Sequence, residues 1–114
     1  MNVQVFGIKN NSDTRKALRF FSERRIKVHF SDLKVRPASK GELQRFVTKF
    51  GADQLINENA PAYRNRGLHA AHFGADRIMN LLLEDPSLLQ VPLVRNGNQL
   101  TVGPAESEWA GWLD

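Results

Sequence analysis

The chain has 114 residues, 41% of them hydrophobic and 25% charged, with a formal net charge of +4; these values are ordinary for a soluble globular chain and sufficient for one buried core. It contains no cysteine, which excludes disulfides, thiolate metal sites and any reaction that needs a sulfur nucleophile. No apolar run approaches a membrane span, and Met1 leads straight into a strand pattern with no basic and apolar leader, so a single cytoplasmic domain, 1–114, is expected.

The charge is unevenly placed along the chain. Twelve Lys or Arg stand against four Asp or Glu up to Phe50, and four against eight from Gly51 onward, giving +8 and −4. Such a split fits a solvated basic helix face first, and otherwise a surface for an acidic partner, protein or nucleic acid.

Val3 and Val5 alternate with Gln4, and Phe6, Gly7 and Ile8 follow, the pattern of a short buried strand that ends in glycine. From Thr14 the period changes. Thr14, Ala17, Leu18 and Phe21 share one helical face, Arg15, Lys16 and Arg19 point elsewhere, and Ser12 and Asp13 are placed to cap the first turn. A strand therefore feeds, through Lys9-Asn10-Asn11, onto the positive end of a helix, where an anion or an ionised nucleophile is favoured.

Glu23-Arg24-Arg25 breaks that helix. Ile26, Val28 and Phe30 then alternate with Lys27, His29 and Ser31, predicting a second strand parallel to the first, with His29 on its outward side. Ser39-Lys40-Gly41-Glu42 has capping-box spacing, and Leu43, Phe46, Val47 and Phe50 follow at i, i+3, i+4 and i+7, so a helix is expected up to a stop at Gly51. Asn59 to Gly67 reads as an irregular loop. The next helix is expected to start around His69 and His72 and to bury Ala71, Ala75, Ile78 and Leu82, ending before Pro86. Two imidazoles three apart, with no third ligand, do not specify a metal site. Leu93 and Val94, the Asn96-Gly97 turn, and Leu100 and Val102 spell a hairpin, and Glu106 to Leu113 forms a last helix burying Trp109, Trp112 and Leu113.

Five stretches carry a resemblance. Gly7, Ile8, Asn10, Lys16 and Ala17 match the motif GI-x-N-C-D-T-x-x-K-A of the arsenate reductase (ArsC) family and the related regulator Spx. The run Leu83-Glu84-Asp85-Pro86-Ser87-Leu88-Leu89 with Pro92 resembles the family's LEHPSLI-x-RP. Tyr63-Arg64, the segment from Gly51 to Asn57 and Glu106 to Trp109 are similar to family segments in the same order. The resemblance implies an α/β, thioredoxin-like fold of ArsC/Spx type, a four-stranded mixed sheet with a helical insertion and flanking helices.

The family's reactive cysteine falls on Asn11, and the second cysteine of Spx-type proteins on Thr14, so both are degenerate active-site positions. Some family enzymes carry a histidine where this chain has Gly7. Asn10, Asn11, Ser12, Arg64 and Pro92 are the candidate anion-binding residues, with Arg64 equally readable as a surface arginine. The resemblance implies a cis bond before Pro92, while the family's arginine preceding that proline is Val91 here. The matching glycine in Spx-like proteins belongs to the surface that docks the C-terminal domain of the RNA polymerase alpha subunit, so Gly51 is either a partner-docking residue or only a helix stop.

Arsenate reduction needs a thiolate that no acid or base replaces, so it is excluded as an intrinsic activity. Catalytic residues and cofactors are expected to be none. The expected role is a cysteine-less, redox-inactive binding or regulatory module, with RNA polymerase alpha or another acidic protein as partner and neither direct DNA readout nor membrane attachment. The alternative is non-covalent binding of glutathione or a small oxyanion, with at most Ser12-based transferase chemistry.

Overall fold

The computed structural model describes residues 1–70 and 73–113, and the chain falls into two units, residues 1–36 with 91–114 and residues 37–90. The first is built on a four-stranded sheet in the order β2-β1-β3-β4. Strand β1 (Val3–Gly7) pairs in parallel with β2 (Val28–Asp32) and antiparallel with β3 (Leu93–Asn96), which pairs with β4 (Gln99–Val102). This is the mixed sheet that the two alternating patterns and the hairpin predict.

Helix α1 (Ser12–Glu23) links the parallel pair. Its Ala17, Phe20 and Phe21 pack with Val3, Val5, Val94 and Trp109 in one core, because alternate strand residues point to the same sheet face. Trp109 lies on α6 (Glu106–Trp112) and is 1% exposed. Its ring centroid is 5.5 Å from those of Phe20 and Phe21, and its indole N–H donates to Thr101 Oγ1 at 2.8 Å. The indole thus fills the core without leaving a buried donor unbonded. Trp112 and Leu113 are half-buried at the margin of this core rather than inside it.

The polar break after α1 is a Schellman stop. Arg25 has φ 59°, its N–H donates to Ser22 O at 3.0 Å, and Ile26 N–H donates to Phe21 O at 2.9 Å. An arginine here occupies the left-handed conformation usually reserved for glycine. The hairpin differs from expectation by one residue. Asn96 pairs with Gln99 at the strand ends, so Gly97 and Asn98 form the turn, and Gly97 at its first position has φ 61°; glycine in that place is the type II′ pattern rather than the Asn-Gly type I′ one.

In the second unit, α2 (Lys40–Phe50) starts with the predicted capping box: Glu42 N–H donates to Ser39 Oγ at 3.1 Å and Ser39 N–H to Glu42 Oε1 at 2.9 Å. Leu43 and Phe46 are buried. Gly51, at φ 86° and ψ 150°, ends α2 and begins α3 (Ala52–Leu55). Beyond α3 the chain is tied to the segment before β3 by Asn57 N–H to Leu88 O and Gln90 N–H to Leu55 O, both 2.7 Å.

Two expectations for this unit are corrected. Asn59 to Gly67 is not irregular throughout, since Pro61–Asn65 forms α4 with Pro61 as its first residue. Proline suits that place because a helix's first N–H has no intrahelical partner to lose. Helix α5 covers Ala75–Glu84 and buries Ile78, Met79, Leu81 and Leu82, while Ala75 at its start is exposed. His69 belongs to a short 3-10 turn, Leu68–Ala70, and is exposed; His72 and Ala71 lie outside the described residues.

The two units also redistribute the charge. Residues 1–36 with 91–114 hold ten Lys or Arg and six Asp or Glu, and residues 37–90 hold six of each. The acidic C-terminal segment returns to the sheet unit, so the net charge of that unit is +4 rather than the +8 of the first half of the sequence.

Candidate functional site

The loop from Gly7 to α1 is fixed by the chain's own polar groups. Asn11 N–H donates to Ile8 O at 2.9 Å, which closes the turn. Asn11 is extended (φ −79°, ψ 132°) and is the N-cap of α1, its side-chain Oδ1 accepting the Thr14 N–H at 2.8 Å. Ser12 and Asp13, the expected caps, are instead the first two helical residues. An asparagine caps as well as they do and comes first in the chain, so the helix starts at the earliest residue that can satisfy its donors.

The position that the resemblance assigns to the reactive cysteine is therefore the helix cap itself. A thiolate there would be stabilised by the same first-turn N–H groups. The carboxamide accepts one of them as a neutral acceptor and has no nucleophilic electron pair comparable to a thiolate's.

Thr14 seals the loop from below. It is 0% exposed, and its Oγ1 accepts the Ile8 N–H at 3.3 Å. A Cβ added at Gly7 would meet Thr14 Cγ2 and Oγ1, both at 2.5 Å. The absence of a side chain at position 7 and the buried threonine thus require each other, a coupling that separation in sequence concealed. A general base at position 7 has no room. His29 pairs with Gln4, three register positions from the Gly7–Asp32 pair, about 10 Å along the strand at ~3.3 Å per residue. Ser12 is exposed, with no imidazole in its loop to activate it.

Pro92 is buried, and the Val91–Pro92 bond is cis, as the resemblance implies. The Phe6–Leu93 pairing sets Pro92 next to the end of β1 that leads into the loop, and Pro92 O accepts the Gly103 N–H at 2.8 Å. The sheet unit thus holds Asn10, Asn11, Ser12, Thr14 and Pro92, with Asn10 and Ser12 exposed. Arg64, exposed on α4, and Gly51, exposed between α2 and α3, belong to the other unit. The N–H groups of Ser12 and Asp13 have no intrahelical acceptor, which favours an anion, whereas the Asp13 carboxylate in the first turn opposes one.

This fold, with a capped helix following the first strand and a cis-proline beside that strand's end, is thioredoxin-like. The ArsC family model matches residues 6–111, and the chain belongs to the ArsC family. It is 26% identical over 108 residues to an uncharacterized protein of Haemophilus influenzae, covering 94% of this chain and 95% of that protein. It is also 26% identical over 110 residues to the global transcriptional regulator Spx 2 of Oceanobacillus iheyensis, covering 95% of this chain and 81% of the regulator. Among solved structures, that of YffB is similar in fold, with a TM-score of 0.90 at 22% identity over 98% of this chain and 99% of YffB.

Proposed function

We propose that this protein is a redox-inactive ArsC-family member that works by binding a partner, in a regulatory role in the cytoplasm. The observation that carries this reading is Asn11: the nucleophile's place is held by a side chain that caps α1, in a chain without cysteine. The name of the Oceanobacillus relative, a global transcriptional regulator, supports a role in transcription. Gly51 is the residue proposed to meet the C-terminal domain of RNA polymerase alpha, and its exposure suits a contact surface. No described helix is long and apolar enough to cross a membrane.

Two measurements test this reading. Arsenate reduction and thiol exchange, assayed with glutathione, glutaredoxin and thioredoxin present, are expected to stay at the uncatalysed rate; robust turnover overturns it. Titration of the labelled protein with purified alpha C-terminal domain is expected to shift amide signals around Gly51, and unchanged spectra remove the docking assignment.

The open first-turn N–H groups of Ser12 and Asp13 favour a second reading, in which glutathione or a small oxyanion binds non-covalently at Asn10, Asn11, Ser12 and Pro92 of the sheet unit. Thermal stabilisation by glutathione or sulfate that disappears in Asn10→Ala supports it. Equal stabilisation of both proteins counts against it, and group transfer lost in Ser12→Ala is what the Ser12-based chemistry requires.

A further inference from the structure

The far end of the sheet carries a second polar feature. Gln4 stands in the middle of a cross-strand row, paired with His29 on β2 and Arg95 on β3. Asn2, Gln4, His29, Arg95 and Gly97 line a shallow groove of about 380 Å³ there. Val3, Val5 and Val94, one residue away along the strands, point to the opposite face and form the core. Phe6 and Leu93, on the same face as Gln4 and Arg95, are buried, so this face is open only towards the start of β1, where the row lies.

The hydrogen bonds within the row decide what it can bind. Arg95 Nε donates to Gly97 O at 2.9 Å, and Arg95 Nη1 donates to Gln4 Oε1 at 3.3 Å. These bonds hold the guanidinium in place and use about two of its five N–H groups, leaving about three. The second bond engages one lone pair of the Gln4 amide oxygen, and the amide NH₂ remains as a donor. His29 adds a ring N–H in any protonation state and a second one, with a positive charge, when protonated. None of the five lining residues is acidic. The groove is therefore rich in donors, carries a fixed positive charge and, among the described residues that line it, has no carboxylate to repel an anion.

The geometry points to an anion-binding site in this groove for a small molecule bearing a carboxylate or phosphate group, with Arg95 as the charged anchor and Gln4 and His29 as donors. Arginine is suited to that anchor because its planar, permanently charged fork matches the oxygens of either group. The site lies at the start of β1, whereas the Asn11 loop follows its end. It stands apart from the function proposed above.

The full chain labelled with ¹⁵N tests this by titration with inorganic phosphate and, separately, with succinate, at constant ionic strength set with chloride. Saturable shifts are expected at Gln4, His29, Arg95 and Gly97 and at the Arg95 Nε–H. Saturation by only one of the two ligands supports the site and names its ligand class. Affinity is expected to fall at least about tenfold in Arg95→Gln, as removal of a charged donor does. Gln4→Glu, which keeps the shape but places a carboxylate beside Arg95, is expected to weaken binding as much and guards against a loosened hairpin in the first variant. Shifts that do not saturate with either ligand, that fall on Asn11 to Thr14 instead, or that persist unchanged in Gln4→Glu overturn the proposal.

Discussion

The two units of this chain are stabilised in different ways. Residues 1–36 with 91–114 gather Phe20, Phe21 and Trp109 against three core valines on one sheet face. Residues 37–90 bury a mostly aliphatic set, among them Leu43, Phe46, Leu55, Ile78, Leu82 and Leu88, supplied by α2, α3, α5 and the short turn after it, with backbone bonds such as Gln90 N–H to Leu55 O between the pieces. Its ion pairs are loose: Arg66 reaches Glu84 at 3.7 Å and Asp85 at 3.6 Å, with the guanidinium side chain 41% exposed. Exposed pairs of this kind contribute about 0–1 kcal/mol. The sheet unit's core centres on three aromatic rings, whereas that of the helical unit is mostly aliphatic and spread over several helices.

That contrast predicts a graded series of effects, each readable by denaturant unfolding. Trp109→Ala removes the ring at the centre of the sheet unit and its bond to Thr101, and is expected to destabilise by about 3–5 kcal/mol. Gly7→Ala is expected to destabilise by about 1–3 kcal/mol through overpacking against Thr14. Most of that loss should return in the double variant with Thr14→Ala; simple additivity would mean that the clash is not the cause. In the helical unit, Gly51→Ala meets no neighbour within 4 Å, so only its positive φ matters and a loss of about 1–2 kcal/mol is expected. The smallest effect has the opposite sign. Arg25→Gly relieves a left-handed residue at the end of α1 and should stabilise by about 0.5–1 kcal/mol, provided the Schellman bonds survive.

The same contrast decided what could be read from the sequence. Strand alternation at Val3 and Val5, the i, i+3, i+4 spacing of Leu43, Phe46 and Val47, and the Ser39–Glu42 box each repeat a period or match a local bonding rule, and all were legible. Helices α3 and α4 were not, because four or five residues are too few to establish a period, and Pro61 marks a helix start as well as it marks a loop. At the site, the loop's location and the missing cysteine were plain. The true cap was hidden because Asn11, Ser12 and Asp13 are all good caps and only the backbone course chooses among them. The Gly7–Thr14 pairing depends on packing that no local pattern encodes.

The claim on which the account rests is that Asn11 occupies a place built to stabilise an ionised sulfur. Installing one tests it directly: in Asn11→Cys, ultraviolet titration of the thiolate should give a pKa well below the ordinary thiol value of about 8.5, because the Thr14 N–H and the helix end favour the anion. A thiol that titrates at or above that value would contradict it.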